Sequence, residues 1–167
     1  VKFKLPEAHD LAVRGVVTPR AAVITVDEMR LSPRLTSFAL VALAILHFSW
    51  GKGSTFPFRD REKLADAVIG SSRVPPPRAC FAVAGALTGG AALVANVFPA
   101  PVSVRRIGIV IMAAVFGSRG ALGLAGTTAL VSPGSDSDTF LRLDRRVYSP
   151  LCLALAVGSL LSMRRPQ

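Results

Sequence analysis

An all-α bundle of four membrane-spanning helices is the fold class this sequence predicts, and three observations carry it. Charged residues make up only 18% of the 167 positions, against about 25% in ordinary soluble domains. Those charges cluster, leaving four stretches close to the roughly 20 apolar residues that a helix needs to cross about 30 Å of hydrocarbon. Mean hydropathy over the whole chain is +0.49. Twenty Lys+Arg against ten Asp+Glu give a net charge of +10, which alone would suggest nucleic acid. The basic residues flank apolar stretches instead of gathering on a polar face, so no nucleic-acid partner is expected. With 51% hydrophobic residues and two cysteines, neither a disordered chain nor a disulfide scaffold fits.

Residues 1–33 read as an N-terminal extension, ahead of a single four-span domain over 34–165. Pro6 and Pro19 interrupt any long helix, and the β-branched run at 23–26 suits a short strand that has no visible partner. No apolar core of 7–15 residues is present to make a secretory signal. Met29-Arg30 stands just before the first apolar stretch, so residues 1–28 read as lying upstream of the natural start.

The first span is 35–51, uncharged between Arg34 and Lys52. A long loop, 52–78, follows. Within it 61–69 predicts a short amphipathic helix, with Leu64, Ala65 and Val68 on one face and Gly70 as its stop. Such a helix is expected to lie in the headgroup region as a structured connector, or else to form a lid over a membrane-facing cavity. Pro75-Pro76-Pro77 then makes a stiff lead into the second span, 79–98, which Pro99 and Pro101 end. The third span is 107–131 and contains Arg119. Residues 107–118 alone reach only about 18 Å at the helical rise, so Arg119 belongs inside the span; the rival is a short helix with 120–131 returning along the surface. The fourth span is 147–163, between Arg146 and Arg164.

Four crossings put both termini on one side with the turn at 100–106, and put 52–78 and 132–146 on the other. Basic residues divide almost evenly, 10 on the terminal side and 9 on the loop side. The tight pairs Arg105/Arg106 and Arg164/Arg165 favour cytoplasmic termini.

Polar chemistry inside the spans is scarce. A guanidinium cannot shed its proton, so Arg119 must be solvated, snorkel outward or meet a carboxylate. The topology places Asp144 at the loop-side face beside the start of span four, with His47, Trp50 and Tyr148 in the same half of the bilayer. Arg119 is therefore expected to pair with Asp144, with Asp136 and Asp138 as rivals, and His47, Trp50 and Tyr148 to line the same polar pocket. Against this stands a blander expectation: Trp50 and Tyr148 as interfacial anchors, and His47 bonding only to a neighbouring helix. Gly85 and Gly89, and Gly117, Gly120, Gly123 and Gly126, are spaced for close helix contacts within the monomer.

No metal site is expected, because His9, His47, Cys80 and Cys152 are the soft donors of the whole chain and are scattered. No cofactor is expected either. A bis-histidine haem would need a second intramembrane histidine, and no C-x-x-C, Walker loop or G-x-S-x-G occurs. Cys80 and Cys152 both fall toward the loop side and could meet, but burial as small apolar side chains is the simpler reading.

The series His47-Phe48-Ser49-Trp50-Gly51, Leu64-Ala65-Asp66-Ala67-Val68-Ile69-Gly70, Arg119-Gly120 and Leu143-Asp144-Arg145-Arg146-Val147-Tyr148-Ser149-Pro150-Leu151-Cys152 resembles the bacterial membrane protein family known as domain of unknown function 3995. The resemblance covers about residues 34–163, and its most specific part is the Asp-Arg-x-x-Tyr-Ser-Pro-Leu-Cys run. It implies a small multi-span protein of a bacterial plasma membrane, a setting that the 16 Arg against 4 Lys also fit. It brings no established reaction and no catalytic residue. The expected function is accordingly structural or accessory, with a lipid or small amphiphile bound in the loop-side half. The alternatives are a small membrane enzyme, with His47 as acid/base and Arg119 as anion clamp, or a transporter subunit. The last requires a homo-oligomer, because one four-helix bundle leaves little room for a pore.

Overall fold

A computed structural model describes residues 26–71, 75–130 and 134–164. The expectations for residues 1–25 lie outside them, and Val26, the last residue of the proposed strand, opens a helix. The helices are α1 (Val26–Gly51), α2 (Arg61–Ile69), α3 (Pro77–Ala95), α4 (Val102–Leu124), α5 (Asp138–Leu143) and α6 (Ser149–Leu161). A π turn, Asp144–Tyr148, fuses α5 to α6, and a 3-10 turn, Ser162–Arg164, continues α6. Four stretches are long and apolar enough to cross a bilayer: Pro33–Gly51, Pro77–Ala95, Val102–Leu124 and Asp138–Arg164. There is no strand among the described residues.

The exterior identifies the solvent. Phe38 is 73% exposed and Ile45 64% exposed, and Val110, Ile111, Val115 and Val157 also face outward. In water such a band would be an aggregation surface; in hydrocarbon it is the solvated face. The interior interleaves leucine and valine with alanine. Leu40, Ala44, Leu87, Ala91, Val94 and Leu155 form the buried core, edged by Met112 and Phe116. Lipid offers no hydrophobic force between helices, so stability comes from close packing of such residues. α1 lies along α3, α4 along α6, and α1 closes the bundle against α6.

Several boundaries differ from the hydropathy reading. α3 stops at Ala95, not near Phe98, because Asn96 takes the left-handed conformation (φ 55°) and its N–H closes on Ala92 O. α4 begins at Val102 and ends at Leu124, in place of 107–131. The last helix begins at Asp138, nine residues ahead of 147. Both of these helices begin ahead of the charge-free window because their first turns carry charged side chains, and α4 also stops seven residues short of 131.

Arg105 shows what the shorter window hides. It lies in the first turn of α4, only 5% exposed. Its Nε donates to Leu93 O at 2.9 Å and its Nη2 to Ser162 O at 3.1 Å. Both carbonyls belong to helix C-terminal ends, where acceptors lack intrahelical partners and the dipole favours a cation. One guanidinium thus ties α3, α4 and the end of the last helix together on the terminal side.

The short helix α2 has the bounds the sequence predicts. Asp60 caps it by accepting from Lys63 N at 2.8 Å, and Gly70 (φ 76°) ends it with its N–H directed to Ala65 O and Asp66 O. Leu64, Ala65 and Ala67 are buried inside the protein, so the apolar face is turned inward. Gly70 is required twice over, since a Cβ there would also lie 2.9 Å from the Phe140 ring of α5. Gly70→Ala is expected to cost about 1–2 kcal/mol and to speed limited proteolysis between residues 52 and 76, read on gels of the detergent-solubilised protein.

Gly85 and Gly89 correct the sequence reading. A Cβ on either would meet nothing within 4 Å. The inward face of α3 carries Ala84, Leu87, Ala91 and Val94, which leaves the glycine pair on the outer face.

Candidate functional site

Asp144 opens the π turn and is 1% exposed. The turn has a local cause. Pro150 has no N–H for the carbonyl four residues back, and its ring would crowd an α-helical turn there. The widened turn relieves this, and Ser149 N–H donates instead to Asp144 O, five residues back.

Four hydrogen bonds converge on the buried carboxylate. Arg119, from α4, gives two: Nη2 to Oδ1 at 2.8 Å and Nη1 to Oδ2 at 3.3 Å. Thr128 Oγ1 donates to Oδ2 at 2.5 Å and Ser149 Oγ to Oδ1 at 3.1 Å. A carboxylate offers about four acceptor positions, so Asp144 is saturated. The forked pairing is the strong form of this ion pair. Arg119 keeps 29% of its side chain exposed and lies 6.0 Å from the centroid of the Phe140 ring. The rivals act otherwise: Asp136 N bonds to Gly70 O, and Asp138 heads α5 with its carbonyl accepting from Arg142 Nε. Neither carboxylate forms an ion pair among the described residues.

α4 and α6 must come close for this. A Cβ on Gly123 would collide with Ser149 Oγ and lie 2.9 Å from both Arg119 Nη1 and Asp144 Oδ2, while one on Gly120 would lie 2.9 Å from Ser149 O. These two glycines are where the predicted small-residue spacing makes a contact within the monomer.

The five candidate residues do not share one pocket, which corrects the sequence reading. Arg119 and Asp144 form one group. Tyr148 bonds elsewhere, its hydroxyl donating to Ala67 O of α2 at 3.0 Å while its ring lies 6.3 Å from that of Phe140. Together with Ser137 Oγ to Asp66 O (3.2 Å) and the Asp136 and Ser137 N–H groups to Gly70 O (both 3.3 Å), this fastens the C-terminal end of α2. His47 and Trp50 form a second group on α1. The His47 Nδ1 lies 2.8 Å from Leu43 O of its own helix, its ring is 4.8 Å from that of Trp50, and Trp50 Nε1 donates to Phe56 O at 2.7 Å. α2 is the element between the groups, and at i, i+4 spacing a helix histidine finds its own carbonyl before a distant partner.

On the other face of α2 lies a cavity of about 310 Å³, between the end of α1 and the start of α3. Trp50, Leu64, Ala65, Val68, Ile69 and Cys80 supply apolar walls, and Lys52 and Arg61 supply charge. Sequence reasoning passed over Lys52, Arg61 and Thr128. Lys52 and Arg61 look like ordinary loop charges, and Thr128 stands in a short 3-10 turn with no periodic signal. Cys80 is buried and Cys152 half-buried, both as free thiols. No cluster of three metal-ligating side chains occurs among the described residues.

Four apolar helices, two of them joined by a saturated buried ion pair, with a small cavity at their loop-side end, define a multi-pass helical membrane protein. The chain belongs to the family described as "Protein of unknown function (DUF3995)", whose model matches residues 40–159. No curated protein and no solved structure matches the chain.

Proposed function

We propose that the protein is a non-enzymatic component of the bacterial plasma membrane, its termini cytoplasmic, that holds a lipid or small amphiphile in its loop-side half. The observation that carries this reading is the cavity of about 310 Å³ under α2. It is at the small end of ligand sites, and its mix of apolar wall and a few polar groups is theirs. The enzyme reading needs His47 and Arg119 on one substrate. Their separate engagements, His47 with Leu43 O and Arg119 with Asp144, weigh against it. The basic residues Arg34, Arg106 and Arg164 near the span ends support cytoplasmic termini.

Native mass spectrometry from mild detergent, with the protein extracted directly from membranes, tests the proposal. A retained mass of one lipid or amphiphile per chain is expected. A spectrum of the bare chain alone, under conditions that keep helicity intact, would overturn it.

A further inference from the structure

The two cations of the cavity are arranged without local benefit. Arg61 is the first residue of α2, where the helix dipole disfavours positive charge. Its Nη2 comes within 3.2 Å of a Cβ built on Gly53, the residue after Lys52, so the guanidinium folds over the turn that carries the lysine. Of the two acids that flank Arg61 in sequence, Asp60 is engaged with Lys63 at 3.6 Å and Glu62 does not line the cavity. Among the described residues neither Lys52 nor Arg61 forms an ion pair, and no Asp or Glu lines the cavity. The first residues of α2 and α3, Arg61 and Pro77, both border the space, so two positive helix ends add to the field of the side chains. Opposite them the wall is apolar. The site stands at the loop-side end of the spans, the level of lipid headgroups.

We propose that this cavity takes an anionic headgroup, phosphate- or carboxylate-bearing, with its charge between Lys52 and Arg61 and its apolar part against Trp50, Leu64, Val68 and Ile69. The proposal rests on the amphiphile-binding reading and names the chemical class of the ligand.

Trp50 is the one tryptophan of the chain and lines the cavity, so its fluorescence reports occupancy directly. The full chain in a nonionic detergent is titrated with lysophosphatidylglycerol, with lysophosphatidylcholine of the same acyl chain, and with inorganic phosphate. The anionic lysolipid is expected to shift Trp50 emission at a concentration at least about tenfold below the zwitterionic one. Lys52→Gln/Arg61→Gln should bring the two midpoints within about threefold, and Lys52→Arg/Arg61→Lys should keep the preference. Both side chains are exposed, so circular dichroism is expected to be unchanged; the single Lys52→Gln and Arg61→Gln variants, each losing about half of the preference on a logarithmic scale, serve if the double variant misfolds. Equal midpoints for the two lysolipids in the parent chain, or an unaltered preference in the Gln variants, would overturn the anionic assignment while leaving amphiphile binding intact. Inorganic phosphate matching the lysolipid, with nothing gained from the acyl chain, would overturn the apolar half of the site. No response to either lysolipid, with a bare-chain native mass spectrum, removes the amphiphile reading itself.

Discussion

Arg119→Leu is expected to destabilise the folded bundle by about 3–5 kcal/mol, the range for removing one partner of a buried ion pair. The loss comes less from the attraction forgone than from what remains: an Asp144 carboxylate that is 1% exposed and is left with only the hydroxyls of Thr128 and Ser149. Asp144→Asn should cost less, because the amide is neutral, yet it turns an NH₂ toward a ring of donors. The double change Arg119→Met/Asp144→Leu removes both charges and should recover much of the loss, since a desolvated pair can be replaced by apolar side chains at little net cost. Reversible unfolding in mixed micelles of the parent, Arg119→Met, Asp144→Leu and the double variant, with the midpoint read by far-ultraviolet circular dichroism, gives all four corners of the cycle. A coupling near zero, or an Arg119→Leu protein with the parent midpoint, would show that the pair does not hold the bundle together.

The second large effect is expected at a position without a side chain. Gly123→Ala should cost about 1–3 kcal/mol through overpacking, because the added methyl meets Ser149 Oγ, Arg119 Nη1 and Asp144 Oδ2 together. Relief requires α4 to move away from α6, which lengthens the same hydrogen bonds that saturate the carboxylate. Gly117→Ala is the internal control. Its Cβ would stand 3.9 Å from the Ala156 Cβ, an ordinary contact, so the helix preference for alanine should leave the protein equal or more stable by up to about 1 kcal/mol. If both variants unfold alike in the same assay, the close approach at Gly123 is not what limits helix spacing.

The elements most legible in the sequence were those whose signal is local. The charge-free run 35–51 marks the apolar part of α1, and Gly70, read as the stop of α2, is the residue that ends it. The spacing of Gly120 and Gly123 foretold a helix contact. What escaped depends on partners distant in the chain. Arg105 reads as a loop charge until its acceptors, Leu93 O and Ser162 O, are brought to it from other helices. Thr128 reaches Asp144 from sixteen residues away, in a turn that no periodicity announces. A shared pocket for His47 and Tyr148 was a natural inference from depth alone. Depth says nothing of angular position around the bundle, and it is there that α2 separates the two.

The widened turn at Asp144–Tyr148 has a consequence for how this stretch of chain tolerates change. In an α-helix successive residues advance by about 100°, so positions five apart point in quite different directions. Here Asp144 and Ser149 converge, one hydroxyl on one carboxylate oxygen, because the backbone takes in an additional peptide between them. Four residues intervene and their number is fixed; of these the exposed Arg145, Arg146 and Val147 are therefore constrained in number more than in kind. Trading one for another leaves the convergence alone, whereas dropping one would swing every residue through Arg164 about the helix axis and present a different set of side chains to α1 and α4.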